Sequence, residues 1–212
     1  MNMAMFPLGS VLFPHLPLAL RVFEERYLLM LANILQNEPS EFGVVLIERG
    51  SEVGGGDRRF NIGTVARIEQ VGTTGDAVAV ISVGTRRISV ERWVDDGDYP
   101  QAEVTELAEL AWKDDYQPLL SQAESVVRRT IARAGEFVEL PWRSDVEIDA
   151  DPVIASWQLA GISPLQEIDQ CALLRSDSIP QLLTRLIDLT VEAGDTLTAR
   201  WGDEEGPPGE NP

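Results

Sequence analysis

The residues best able to do chemistry are few: one histidine, His15, one cysteine, Cys171, one lysine, Lys113, and the run Gly54-Gly55-Gly56. A phosphate-binding loop needs GxxxxGK[ST], whose amides cradle phosphate and whose lysine meets its charge. That pattern is absent, Asp57 follows the triple glycine, and a plain loop over Ser51–Arg59 is the expectation. A zinc site needs three or four convergent Cys, His or acidic ligands; one His and one Cys cannot supply it without carboxylates, and no spacing brings those in. A Ser-His-Asp triad would have to use His15, yet no Gly-x-Ser-x-Gly elbow accompanies it. A Ser-Lys dyad would have to use Lys113, whose neighbours Asp114 and Asp115 favour the charged, unreactive amine. A hydrolase working with carboxylates alone stays open on composition, with no pattern that singles out its residues. No catalytic residue, metal or cofactor is therefore expected.

The elements around these residues explain why they look inert. FPLGSVLFPHLPLALRVFEERY, Phe6 to Tyr27, is strongly apolar but carries Pro7, Pro14 and Pro17, and its first basic residue, Arg21, comes after the apolar part. A signal peptide has the opposite order and an unbroken apolar run. The lone cysteine cannot form an internal disulfide, which suits a reducing compartment. A cytoplasmic protein without a membrane segment is expected.

Charge is divided along the chain. Residues 1–94 hold nine arginines against ten acids, a balance of −1, while residues 95–212 hold eight bases against 25 acids, a balance of −17. The total of −18 disfavours nucleic acid and anionic lipid as partners.

Periodicity divides at nearly the same place. Met3–Phe13, broken at Gly9-Ser10, reads as a strand, Pro14–Pro17 as a turn and Leu18–Phe23 as a second strand. A helix follows from Glu24, with Tyr27, Leu28, Leu31, Ile34 and Leu35 at helical spacing. Phe42–Ile47, a strand through Ile62, Val65 and Ile68, a hairpin connection over Gly72–Asp76, and Ala102–Leu107 continue the sheet. Ala77–Val94 is too long for one flat strand, and Gly84 marks its bend. After Trp112 the period is helical. One stripe ends near Gly135, a second helix is capped by Asp151-Pro152, and capping boxes open two more at Ser163–Gln166 and Ser178–Gln181. The last is expected to stop near Gly194, ahead of a disordered acidic tail, 202–212. The reading is α+β: a β-rich part over 1–110 and a helical part over 111–201. Trp93, Trp112, Trp142, Trp157 and Trp201 could pack these parts together or line a groove for a small molecule.

FPLGSVLFPHLPLALRVFEERY, FGVVLIERGSEVGG, IGTVARIEQV and GTRRISV together resemble the N-terminal, substrate-binding domain of the Lon protease, above all the small bacterial proteins made of that domain alone. The helical stretch from Asp151 to Leu189, DPVIASWQLAGISPLQEIDQCALLRSDSIPQLLTRLIDL, is similar to the helical subdomain that follows it. Glu25 departs from the proline usual there. The resemblance implies a PUA-like pseudo-β-barrel followed by a helical bundle, and binding of protein or unfolded, apolar peptide without ATPase or protease machinery. Its helix-start motif falls on Glu24, Arg26 and Tyr27, and its later strand positions on Gly63 and Arg87. For these a structural role is expected, with Arg26 and Arg87 anchoring polar links within the β part and Gly63 allowing close backbone approach. The turn Phe13, Pro14, His15, Leu16 and Pro17 is the candidate protein contact, because it offers apolar groups on a loop. RNA binding, suggested by the PUA-like fold alone, is opposed by the charge.

Overall fold

The computed structural model describes residues 1–49, 58–94 and 97–202. Six strands, β1 (Asn2–Leu8), β2 (Pro17–Val22), β3 (Glu41–Arg49), β4 (Arg58–Thr74), β5 (Ala77–Val94) and β6 (Gln101–Glu106), form one sheet, with helix α1 (Glu25–Ile34) between β2 and β3. The strand order is β2-β5-β4-β3-β1-β6, and β6 also pairs with β5. Five strands therefore close into a ring, and β2 extends it beside β5. Only β1 and β3 run parallel.

Alternation along each strand sorts side chains into two cores. Met3, Met5, Val45, Val65, Ile88, Val90, Ala102 and Val104 form one buried cluster, with a contribution from every strand of the ring. Phe6, Leu8, Phe42 and Val44, of opposite parity, pack outward against Tyr27, Met30 and Leu31 of α1. Tyr27 stacks on Phe6 with ring centres 4.0 Å apart.

β5 serves both the ring and its extension. Val78–Val83 pair with β2, and Ile88–Val94 pair with β6. The changeover falls near Gly84, where the register against β4 slips between Ala66↔Gly84 and Thr64↔Arg87. Here the turn lies directly on the strand: the His15 amide donates to Gly84 O at 2.7 Å, and the Gly84 amide to Leu16 O at 2.9 Å. A Cβ on Gly84 would collide with the Phe13 carbonyl oxygen.

The helical layer comprises α2 (Gln117–Ala134), α3 (Pro152–Ile162), α4 (Glu167–Leu174) and α5 (Ile179–Gly202). Its core includes Val127, Trp157, Leu159, Leu173, Leu182 and Leu186, and Phe13, Leu46 and Ile62 of the β part join the same cluster. Arg87 adds a polar tie between the layers. Its guanidinium donates to Leu174 O at 2.7 Å, Ser176 O at 2.6 Å and Ala108 O at 2.8 Å. No described helix is long and apolar enough to cross a membrane.

Several local expectations change. β1 ends at Leu8, because the following residues leave the ring for the α1 and helical cores, Leu12 O being held by the Thr64 hydroxyl at 2.6 Å. The hairpin connection narrows to Gly75, at φ 60°, and Asp76. Asp151 caps α3 as expected, its Oδ1 accepting from the Val153 and Ile154 amides. Ser163 does not open α4: it closes α3, its buried hydroxyl bonds Thr190 at 2.8 Å, and α4 starts later, after Gln166. Ser178 does accept from the Gln181 amide, at 3.3 Å. α5 runs through Gly194, which passes Thr130 of α2, so helix packing outweighs the ~1 kcal/mol helix cost of glycine. Arg87 makes the expected link within the β part, to Ala108 O, and also ties β5 to the helices through Leu174 O and Ser176 O, because its strand parity is opposite to that of Ile88. Arg26 pairs locally with Glu24 at 3.1 Å and lies over the Tyr27 ring. Apart from Arg58 and Arg59, which begin β4, the loop expected over Ser51–Arg59 lies outside the described residues, as does the tail from residue 203.

Two stability comparisons check this packing. A Cβ on Gly63 would overlap the Val44 carbonyl oxygen, whereas one on Gly72 would meet nothing. Gly63→Ala should cost about 2–3 kcal/mol by overpacking, and Gly72→Ala should be neutral or stabilise by up to ~1 kcal/mol. Equal denaturation midpoints for the two would contradict the β3–β4 contact. Arg87→Ala, which strands two buried carbonyls and one partly buried one, should cost about 3 kcal/mol, or roughly 6–12 °C in melting temperature. Arg87→Lys should fall between Ala and wild type, since an ammonium lacks the planar fork. Arg26→Ala, which loses a mostly buried but local pair, should cost less than Arg87→Ala, about 1–2 kcal/mol. A larger loss from Arg26→Ala than from Arg87→Ala would refute the assignment of the interlayer tie.

Candidate functional site

Where the turn, β5 and α3 converge there is a cleft of about 270 Å³. Pro14 and His15 form one wall, Thr85, Arg86 and Arg87 of β5 another, residues 107–110 after β6 a third, and Asp151, Val153, Ile154 and Trp157 of α3 the last. Each wall follows from local sequence. Pro14-His15 turns the chain, with His15 at φ 64°, a region His enters more readily than most residues. Asp151-Pro152 starts α3 so that Val153, Ile154 and Trp157 lie on its first two turns. The Leu107 amide donates to Arg87 O at 2.9 Å, holding the chain after β6 against β5.

Most polar groups here are already engaged. Arg87 is spent on its three carbonyls, and its guanidinium lies over Trp157. Burial lowers its pKa from the ordinary arginine value, with Asp177 opposing. Arg86 donates to Glu41 at 2.8 Å and Glu106 at 2.6 Å. The Glu41 bond, foremost, holds it above the ordinary value against the effect of burial. The Thr85 hydroxyl donates to Val65 O, and the first amides of α3 are taken by Asp151. What remains open is as much polar as apolar: Leu107, Val153 and Ile154 give apolar surface, and the exposed His15, Glu109 and Asp151 stand beside it. Such a surface can hold a group; it has no positioned nucleophile and base.

The candidate contact residues divide. Phe13 is 1% exposed and packs on Trp157, with ring centres 6.0 Å apart. Pro14 is also buried, Leu16 reaches Gly161 of α3, and only His15 and Pro17 are exposed. The turn thus offers much less apolar surface than its composition suggests, because its apolar groups are used to join the layers. Glu24 sits at the N-terminus of α1, Tyr27 in the core beneath it and Gly63 in the barrel wall, all apart from the cleft. The tryptophans do not converge. Trp157 alone of the four with described side chains lines the cleft, Trp93 lies under Arg59 and Trp112 packs on Tyr116. The side chain of Trp201 lies outside the described residues. Val153, Ile154, Leu107 and Glu109 were not legible as site residues, since only the fold brings them to the turn.

Cys171 is buried, and that burial pushes its thiol up, with Arg175 opposing. Among the described residues no group of three His, Cys, Asp or Glu could hold a metal ion.

Comparison with known proteins places this architecture. No curated protein matches the chain. A solved Lon N-terminal domain protein from Xanthomonas campestris matches with 28% identity and a TM-score of 0.62, over 89% of this chain and 98% of its own. The N-terminal domain of a Mycobacterium avium complex Lon protease shares the fold, with a TM-score of 0.65, 18% identity and coverage of 91% and 99%. The family model for the ATP-dependent protease La (LON) substrate-binding domain matches residues 2–192. With nearly its whole described length inside that model, the chain belongs to the LON substrate-binding domain family.

Proposed function

We propose that the chain is a non-catalytic recognition module that binds unfolded or apolar-rich polypeptide in the cytoplasm. The family match over residues 2–192 to a substrate-binding domain carries this reading. The cleft supports it: apolar walls lie beside an open carboxylate, while the neighbouring arginines and helix amides are committed elsewhere. The near-neutral balance of residues 1–94 favours contact through the β part and the cleft edge over contact through the acidic helices. The organisation we assign is a β-rich domain over 1–110, a helical subdomain over 111–201 and an acidic tail.

A contact driven by apolar burial persists as salt rises, whereas a charge-driven one weakens. Purified protein should therefore retain a reduced, alkylated polypeptide at micromolar-scale affinity with little change between ~0.05 and ~0.5 M salt. ATP hydrolysis and casein cleavage should stay at mock-purification levels. Loss of all retention in high salt would move recognition to the acidic helices. Turnover abolished by a single Ser or acid substitution would overturn the non-catalytic assignment.

A further inference from the structure

We propose that the cleft takes one leucine-sized apolar side chain of an extended polypeptide in which a lysine or arginine stands beside that residue. The proposal rests on the reading that the chain recognises polypeptide, and it assigns the chemistry of the segment. Size is the first argument. At about 270 Å³ the cleft lies below the ~300–1,000 Å³ typical of sites that enclose drug-sized molecules. That space admits one apolar side chain together with part of its neighbour's. Three separate segments contribute apolar walls, Leu107 and Leu110, Val153 and Ile154, and Pro14 of the turn, so an inserted side chain would meet apolar surface from three directions beside polar groups.

Charge sets what stands next to it. Arg86 is neutralised by Glu41 and Glu106, and Arg87 is buried in carbonyls. The partial positive charge at the α3 N-terminus is answered by Asp151, whose Oδ1 takes both amides. Glu109 and Asp151 both line the cleft, both are exposed, and neither has an ion pair among the described residues. A ligand carboxylate would meet like charge there, and a ligand cation would meet its complement. The −17 balance of residues 95–212 adds a longer-range attraction of the same sign.

The test uses the whole chain and fluorescein-labelled Gly/Ser-based peptides with Leu-Lys, Leu-Glu or Ser-Lys at the centre, read by fluorescence anisotropy. Leu-Lys should bind tightest. Ser-Lys should be weaker by roughly tenfold or more, since a leucine's burial is lost. Leu-Glu should be weaker by roughly three- to tenfold at low salt, a gap that narrows as salt rises. Ala108 is exposed and holds Arg87 through its carbonyl, so Ala108→Trp fills the cleft without touching that bond. It should erase the preference for Leu over Ser. Glu109→Gln should weaken the preference for Lys over Glu, Asp151 keeping part of it, and leave that for Leu over Ser; it decides the matter should Ala108→Trp lower the melting temperature. Wild-type discrimination in both variants would overturn the proposal. Should a reduced, alkylated polypeptide still bind wild type and both variants alike, recognition of polypeptide would stand and only the cleft assignment would fall. Absence of binding by that polypeptide and by every peptide would remove both.

Discussion

The guanidinium of Arg87 is the constraint around which the two layers are arranged. A buried cation is costly unless its donors are satisfied. Here carbonyls satisfy them: Leu174 O and Ser176 O at the end of α4, and Ala108 O beyond β6. The end of α4 is also where a helix dipole favours positive charge. The lowering of its pKa by burial reports the same compromise, with Asp177 supplying the nearest opposing charge. One side chain thus fixes a helix end and the start of the interlayer connection. The cleft wall at residues 107–110 inherits its position from that bond and from Leu107 on Arg87 O.

Four other arginines of the β part behave differently. Arg86 meets Glu41 and Glu106, Arg92 meets Glu103, Arg67 meets Glu69 and Arg21 meets Asp76. Apart from the partly buried Arg86–Glu41 bond these pairs are exposed and add little stability, but together they neutralise these arginines at close range. A phosphate backbone, which draws its affinity from uncommitted cations, would find these already paired. The acid excess is carried by the second half of the sequence, where Glu109 and Asp151 are the members that reach the cleft.

Much of the architecture was legible because local signals agreed with the fold. The change from period two to helical spacing near residue 112 matches the end of β6 and the start of the 3₁₀ turn Asp114–Tyr116 before α2. Gly84 and Asp151 reveal themselves by chemistry that few other residues supply. The misreadings share a cause, namely partners distant in sequence. The Ser163 hydroxyl answers Thr190 across 27 residues, so the local capping pattern does not open α4. Gly194 stays helical because α2 lies beside it. Arg87 is visible as a motif residue, yet its acceptors lie up to 89 residues away. Phe13 looks like loop surface until Trp157, on another layer, covers it.

That last case also determines what the turn can contribute to recognition. Because Phe13 and Leu16 are fastened to α3 and the backbone to Gly84, the turn has little freedom left to lose. Ordering a mobile loop on association costs free energy for each immobilised side chain. A turn already fixed from both sides avoids that cost, so a small apolar cleft can still bind usefully. The burial that removes Phe13 as a contact therefore makes the exposed edge at His15 a better-defined wall.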